Sequence, residues 1–253
     1  MPSTTNTVFV DNISLLHSCL TALENTTSIA VDLEGVALCR SGILCIMQLK
    51  ASDSDTVWLV DIVTLRASAF DVIGTGGKSL RAMLESHSIK KLFFDVRNDS
   101  DALFNLFGVA LANVYDLQLL EVAVRSSNPG IRPRFVKGLV PTLEAYLAPQ
   151  KPAVVVRNWA RVKEAGLRLF SPERGGGYEV FQKRPLAPAL VTYCAQDVAL
   201  LHELEAVLHQ RIGPRGKNWE QRVRTESAVR VGVARRADYE PYGKNKAHVP
   251  KDW

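Results

Sequence analysis

One short segment places two carboxylates on a strand that should be buried. The sequence SIAVDLEGVAL (residues 28–38) begins as a run of small and β-branched apolar residues, which is typical of an internal strand. Asp32 lies inside this run, and Glu34 follows two positions later. Because side chains alternate across a strand, both acids point to the same face of the sheet. Two such charges repel each other, and each is costly to bury without a partner.

Length and composition are those of a soluble globular protein. The chain has 253 residues, of which 47% are hydrophobic and 23% are charged, enough for a large core. No apolar run approaches the roughly 18 residues of a membrane span, so no membrane association is expected. The four cysteines form no CxxC pair and are predicted to be reduced core residues of an intracellular protein, nuclear or cytoplasmic.

The hydrophobic pattern of the first half predicts strands that alternate with helices. Short apolar runs bounded by turn residues indicate strands at 7–11, 28–33, 44–50, 56–61, 90–96 and from 113 onward. Asn12 is a candidate cap for a first helix, and further helices are expected at 79–87 and 99–108. This order predicts an α/β fold in which helices cover both faces of the sheet.

The second half is predicted to be mainly helical and is strongly basic. Helices are expected at 139–147 and 155–170, and one long helix is expected from about Pro188 to Ile212, where Gly213–Pro214 would stop it. Residues 1–127 carry 9 Lys and Arg against 14 Asp and Glu, whereas the remainder carries 22 against 12. A basic half is common in proteins that bind polyanions, although a solvated surface explains it equally well.

Further acids occur at two later positions of the chain. The segment DVRNDSDAL places Asp95, Asp99 and Asp101 where a strand is predicted to give way to a helix. The segment YCAQD places Tyr193 and Asp197 four residues apart, and therefore on one helix face. Carboxylates from separate elements, without a nearby histidine, suit a hard divalent cation such as Mg²⁺ or Mn²⁺. Two such ions would offset the repulsion at Asp32 and Glu34 and could clamp a phosphoryl displacement.

These motifs, in this order, resemble the DEDDy 3′–5′ exonucleases of the ribonuclease D group. The matching elements are DxE on an early strand, an Asp at the start of a helix, and YxxxD on a late helix. The flanking segments KKLFFDVRNDSDALFNLFG and FQKRPLAPALVTYCAQDVALL are similar to the second and third motifs of that group. The resemblance spans about Thr7 to Ile212 and is closest to stand-alone fungal members. It implies a ribonuclease H-like mixed sheet flanked by helices, with an exonuclease domain at 1–212 and a basic tail at 213–253.

The resemblance also implies a role for each site residue. Asp32 would bridge two Mg²⁺ or Mn²⁺ ions, Glu34 and Asp197 would hold the nucleophile-side ion, and Asp99 would hold the other ion through water. Asp99 is preferred because it lies nine residues before Gly108, which is the spacing of the family, and Asp101 is the fallback. Tyr193 would orient the attacking water. Asp95 and Asp101 are expected to be capping and surface residues.

The substrate implied is the 3′ end of single-stranded RNA or DNA, with RNA favoured. Arg157, Trp159, Arg161 and Lys163 mix bases with an aromatic side chain on one helix, which suits a stacked single strand as well as an ordinary amphipathic helix. Arg184 of the RPL segment is a further candidate for this contact. The tail offers Arg222, Arg224, Arg235 and Arg236.

Two functions are compatible with these features. The first is a two-metal exonuclease that releases nucleoside monophosphates. The second is an idle RNA-binding or scaffold protein of the same fold, although such proteins usually lack one or more of the acids. Because Asp32, Glu34, Asp99, Tyr193 and Asp197 are all present, the sequence favours the enzyme.

Overall fold

A six-stranded mixed sheet forms the centre of the computed structural model, which describes residues 6–213, 216–251 and 253. The strands are β1 (Asn6–Val10), β2 (Ser28–Val36), β3 (Ile43–Ala51), β4 (Thr56–Asp61), β5 (Lys90–Phe93) and β6 (Val114–Asp116), in the spatial order β1-β4-β3-β2-β5-β6. β3 is antiparallel to β2 and β4, and the other pairs are parallel. All strands except β3 run in the same direction, so the carboxyl ends of five strands lie at one edge of the sheet. The predicted α/β fold is confirmed.

Eleven α-helices of four or more residues surround this sheet in the part of the chain that is described. They are α1 (Ile13–Leu23), α2 (Ile62–Leu65), α3 (Ser68–Asp71), α4 (Leu80–Glu85), α5 (Arg97–Phe107), α6 (Leu117–Ser126), α7 (Leu139–Tyr146), α8 (Ala153–Phe170), α9 (Pro188–Ala199), α10 (Leu201–Ile212) and α11 (Gly216–Ala234). The side chain of Asn12 accepts a hydrogen bond from the N–H of Leu15 at 3.0 Å and caps α1, as the sequence predicts.

The single helix expected from Pro188 to Ile212 is two helices in the structure. The chain departs from helical geometry at Leu200, where φ is −101° and ψ is −5°. The break lets α9 pack on the central strands while α10 packs against α6 and α7. The proline of the predicted Gly213–Pro214 stop lies outside the described residues.

Side-chain alternation along β2 assigns its residues to two separate cores. Ile29 and Val31 belong to the cluster that includes α1, α4 and α5, whereas Ala30 belongs to the cluster formed with α6, α9 and α10. Asp32 and Glu34 share the parity of Ala30, so they lie on the face that α9 covers. The two carboxylates thus meet the helix that carries the YxxxD motif.

A bulge ends the regular pairing of β2 directly after the second acid. The β2–β3 register shifts between Glu34 and Gly35. A Cβ atom on Gly35 would lie 2.0 Å from the carbonyl oxygen of Ile43, so a residue with a side chain does not fit there. The glycine of DLEG therefore allows β3 to approach closely beside the acids.

The segment after α10 packs on the rest of the molecule. Val223 of α11 belongs to one core cluster and Val231 to the other, so α11 crosses the β6 edge of the sheet. The hydroxyl of Ser227 accepts a hydrogen bond from the N–H of Asp116 at 3.0 Å. The division into a domain at 1–212 and a tail stays a prediction. Among the described residues, the helices are all too short or too polar to cross a membrane.

Candidate metal centre

Three acids from two elements meet at the carboxyl edge of the sheet. Asp32 and Glu34 of β2 and Asp197 of α9 each offer one carboxylate oxygen, and these oxygens lie within 4.8 Å of one another. Asp197 is buried, whereas Asp32 and Glu34 are half-buried and open toward solvent. The acids that alternation places on one face of β2 therefore meet the acid of the YxxxD motif on α9.

Asp99 lies beside this trio, in the first turn of α5, and is 7% exposed. Burial raises the pKa of Asp99 well above its usual range, and the charges of Asp32 and Asp95 raise it further. Electrostatics therefore couple Asp99 to the trio, although it lies outside the 4.8 Å group.

The two neighbouring acids of the DVRNDSD segment have other partners. Asp101 is fully buried, and its carboxylate accepts hydrogen bonds from the backbone N–H of Arg40 at 2.6 Å and from its Nε at 2.7 Å. The expectation that Asp101 is a surface residue is wrong, and the ion pair with Arg40 removes it as a fallback ligand. Asp95 accepts two hydrogen bonds from Arg97 at 2.5 and 2.7 Å.

Asp116, which the sequence did not single out, holds the turn that leads to Asp99. This fully buried carboxylate ends β6 and accepts hydrogen bonds from the backbone N–H groups of Asp95 at 2.9 Å and Val96 at 3.1 Å. Asp95 has a positive φ of 67°, which is strained for a residue with a side chain. Asp116 thus fixes a strained turn at Asp95, four residues before Asp99. A signal was present, because an Asp at the end of an apolar strand often caps the next helix.

The electrostatics of the trio are those of a site with too little positive charge for three carboxylates. Burial and the nearby charge of Asp197 raise the pKa of Asp32 to about 7, although Lys163 acts in the opposite direction. Burial and the charges of Asp32 and Asp197 raise the pKa of Glu34 well above its usual range. Carboxylate oxygens that repel one another in a partly dry site fit a hard divalent cation that prefers oxygen ligands.

Tyr193 stands next to Asp197 and is held by α8. A Cβ atom on Gly166 would lie 2.4 Å from the Tyr193 ring, so glycine is required where α8 crosses it. The Nζ of Lys163 donates to the Tyr193 hydroxyl at 2.8 Å and to Asp197 Oδ1 at 2.8 Å. Burial and the charges of Asp197 and Glu34 raise the pKa of Tyr193, which keeps the hydroxyl protonated.

Gln48 is a further neighbour of the acids that sequence reasoning missed. It lies on β3 opposite Asp32, is fully buried, and its Nε2 approaches Asp32 Oδ2 at 3.4 Å. Its Oε1 has no hydrogen-bond partner among the described atoms. A single amide in the apolar run LCIMQLK was the available signal, since a buried amide requires polar partners.

The residues suggested for nucleic-acid contact lie in different places. Arg157 and Arg161 are exposed on α8, and Trp159 is half-buried beside a cavity that Lys163 and Asp197 also line. The guanidinium of Arg184 binds the fully buried carboxylate of Asp61, with Nε to Oδ2 at 2.7 Å, so its charge is paired within the protein. Its contact with nucleic acid stays a prediction.

The tail arginines do not form one surface around the acids. Arg222 stacks on Trp219 at 4.4 Å, Arg224 pairs with Glu220, and Arg236 pairs with Asp238. Arg235 donates to the carbonyl of Leu111, which precedes β6 and so lies at the opposite end of the sheet from Asp116. Lys163 of α8, rather than these four arginines, is thus the basic residue that contacts the trio.

Comparison with known proteins identifies the family of the chain. A family model described as 3′–5′ exonuclease matches residues 7–213. The chain belongs to this 3′–5′ exonuclease family. The resemblance to the ribonuclease D-like DEDD exonucleases is thereby confirmed.

Curated relatives of the chain include proteins described as piRNA biogenesis protein EXD1. The mouse protein is 29% identical over 189 residues, which cover 74% of this chain and 30% of that protein. The human protein is 29% identical over 185 residues, which cover 73% of this chain and 32% of that protein. The chain therefore spans about a third of the length of these two relatives.

Solved structures of ribonuclease D share the fold of the chain. The Trypanosoma brucei RNase D–GMP complex superposes with a TM-score of 0.76 at 22% identity, covering 97% of this chain and 69% of that one. Escherichia coli RNase D gives a TM-score of 0.58 at 20% identity, covering 92% of this chain and 51% of that one. The mixed sheet flanked by helices is thus the DEDD exonuclease fold, as the sequence predicts.

Proposed function

We propose that the chain is a metal-dependent 3′–5′ exonuclease that removes nucleoside monophosphates from the 3′ end of single-stranded nucleic acid, with RNA favoured over DNA. The observation that carries this proposal is the approach of the Asp32, Glu34 and Asp197 oxygens to within 4.8 Å, with Asp99 and Tyr193 beside them. Family membership supports the reaction class.

The acids would hold two Mg²⁺ or Mn²⁺ ions, with roles divided by position. Asp32 would contact both ions, Glu34 and Asp197 would hold one, and Asp99 would hold the other through water. Bound at such a site, two divalent ions stabilise the charge on the attacking and leaving oxygens of an in-line displacement. The Brucella melitensis NrnC structure, which shares the fold with a TM-score of 0.59, contains bound Mg²⁺.

The chain's own groups would position the reacting water and the nucleic acid. Because its pKa is raised, the Tyr193 hydroxyl would act as a neutral hydrogen-bond donor that orients the attacking water. Trp159 would offer an aromatic face for a base, and the exposed Arg157 and Arg161 would contact phosphates.

The preference for RNA rests on the relatives. One Trypanosoma brucei RNase D structure is a complex with RNA U12, and the curated relatives are described as piRNA biogenesis proteins. The four cysteines are free and buried, which is consistent with the intracellular location that we propose.

A catalytically idle RNA-binding protein is the second candidate. The contact of Lys163 with both Asp197 and Tyr193 favours it, because an ammonium group in this position competes with a metal ion. The presence of all five site residues favours the enzyme.

Incubation of the protein with end-labelled single-stranded RNA and DNA, in Mg²⁺, Mn²⁺ or EDTA, tests the proposal. We expect a ladder that shortens from the 3′ end of RNA in metal and disappears in EDTA. Asp197→Asn is the control for a contaminating nuclease. Binding of RNA without shortening, in every metal, would leave the idle protein as the function.

A further inference from the structure

The carboxylate cluster contains a cation of its own, supplied by Lys163 of α8. Its Nζ lies 2.8 Å from Asp197 Oδ1, 3.1 Å from Asp197 Oδ2 and 2.8 Å from the Tyr193 hydroxyl. The side chain is 17% exposed, and Nζ lies 4.1 Å from the centroid of the Tyr193 ring. Lys163 therefore engages both carboxylate oxygens of the acid that completes the trio.

The position of this ammonium group is built into the packing of α8. Lys163 and Gly166 are three residues apart and share a helix face, which points toward α9. The close approach at Gly166, where a Cβ would lie 2.4 Å from Tyr193, brings this face of α8 against the YxxxD helix. The contact of Lys163 with Asp197 follows from the same helix pair, α8 and α9, that forms the site.

We propose that Lys163 is the internal counter-ion of this cluster: its ammonium group holds Asp197 and Tyr193 in place in the metal-free protein and must release Asp197 before a divalent cation can bind there. The inference rests on the metal centre of the proposed function. Both oxygens of Asp197 are occupied by Nζ, and two cations a few ångströms apart repel each other strongly in a partly dry site.

A lysine suits a counter-ion that has to leave. Its ammonium is a compact charge on a flexible stem, and it can swing away through rotamer changes, whereas the planar fork of an arginine fixes a carboxylate in two places. Elsewhere in this protein, buried carboxylates are held by arginine, as in the pairs Asp61–Arg184 and Asp116–Arg230. The lysine occurs in the carboxylate cluster where a divalent cation has to replace it.

The inference is tested by metal binding to Lys163→Met, with Lys163→Gln as a second variant that retains hydrogen-bonding groups. Lys151→Met is the matched control, since it removes a lysine–carboxylate pair with Glu203, at 2.5 Å, outside the site. Mn²⁺ affinity is measured by calorimetry, and melting temperature is measured in EDTA and in Mn²⁺ at pH 7.5.

We expect both Lys163 variants to bind Mn²⁺ at least about tenfold more tightly than wild type, because a like charge next to the ion is removed. They should melt lower than wild type in EDTA and gain more from Mn²⁺, while Lys151→Met keeps the wild-type affinity. If Lys163→Met does not fold, the result with Lys163→Gln stands for both.

Two results would overturn the inference while leaving the proposed function intact. If the role of Lys163 is purely structural, its replacement lowers the melting temperature in EDTA and leaves the Mn²⁺ affinity unchanged. If Lys163 binds only a substrate phosphate, its replacement raises KM and again leaves the Mn²⁺ affinity unchanged. By contrast, if neither wild type nor any variant binds Mn²⁺, the metal centre itself is wrong and the inference falls with it.

Discussion

The acids at the carboxyl edge of this sheet fall into two groups that differ in the positive charge beside them. Asp61 ends β4, Asp116 ends β6, and both are fully buried. Each caps the helix that follows and pairs with an arginine, Arg184 for Asp61 and Arg230 for Asp116. On the central strand between them, Asp32 and Glu34 share the ammonium of Lys163 with Asp197.

Asp61 and Asp32 also differ in the direction of their pKa shifts. The guanidinium of Arg184 and the hydrogen bonds from Thr64 outweigh the effect of burial and lower the pKa of Asp61. Burial and Asp197 raise the pKa of Asp32 to about 7 despite Lys163. The charge of Asp61 is thus matched within the protein by Arg184, whereas the carboxylates around Asp32 outnumber their cation, which makes them the candidates for a metal.

The largest effect expected from this difference is on catalysis. Asp32→Asn and Asp197→Asn should each reduce cleavage of single-stranded RNA at least about a thousandfold, because each disturbs a metal that performs the chemistry. Asp61→Asn, measured at a temperature where it is folded, should keep most of the wild-type rate. Retention of more than a tenth of the rate by either site variant at saturating metal would contradict the assignment.

Tyr193→Phe should have a smaller effect on the same reaction. Loss of the hydroxyl should lower the single-turnover rate about 10–1000-fold, because it positions water rather than binding a metal. Calorimetric titration with Mn²⁺ is measured in parallel and should change little. A large loss of Mn²⁺ affinity, with an unchanged rate per bound metal, would instead make Tyr193 part of the metal-binding shell.

Among the structural acids, Asp116→Asn should have the clearest effect on stability. The change weakens the partner of Arg230, which is 5% exposed, and removing one partner of a buried ion pair costs about 3–5 kcal/mol. Urea denaturation in EDTA measures the free energy of unfolding. Asp71→Asn, which affects an exposed pair with Arg81, is the control and should change it little. Equal effects of the two substitutions would mean that the buried Asp116–Arg230 pair stabilises the fold no more than an exposed pair does.

The acids of the metal centre should show the opposite behaviour in EDTA. Asp32→Asn should melt higher than wild type there, because it removes one of the repelling charges. Millimolar Mg²⁺ or Mn²⁺ should stabilise wild type, by about 2.7 kcal/mol at a hundred times Kd, and should stabilise the variant much less. Thermal scans of both proteins decide the point. A variant that melts lower in EDTA, beside a wild type that metal does not stabilise, would make Asp32 a structural acid.

The sequence contained enough to predict the general fold and the acids that meet. Alternation placed Asp32 and Glu34 on one face of β2, and the i,i+4 spacing placed Tyr193 and Asp197 on one face of α9. Both are properties of a single element, so they can be predicted without knowledge of the tertiary structure.

What could not be predicted depends on contacts between elements distant in sequence. Lys163 meets Asp197 across 34 residues, and Arg184 meets Asp61 across 123. The sequence therefore listed both as basic candidates for nucleic acid and did not indicate that each is paired with a carboxylate inside the protein. The role of Asp116 was missed for the same reason, since it acts on the backbone of Asp95, 21 residues earlier.

The smallest effect expected is the pH dependence of a structural acid. The pKa of Asp61 is lowered in the folded protein, so its ionised form stabilises the fold above the unfolded pKa of about 3.9. This contribution is lost as the pH falls from about 4 through the folded pKa, because the unfolded state takes up the proton first. The difference in unfolding free energy between wild type and Asp61→Asn should thus be constant from pH 5 to 7 and shrink below about 4, by about 1.4 kcal/mol for each unit by which the pKa is lowered.

Urea titrations in EDTA at pH 3, 4, 5 and 7 measure this difference in unfolding free energy, with Asp71→Asn as the control. A difference that persists unchanged at pH 3 would mean that Asp61 acts through the shape and hydrogen bonds that Asn retains or disrupts, and not through its charge. Ion pairing with Arg184 would then not be what separates it from the acids of the metal centre.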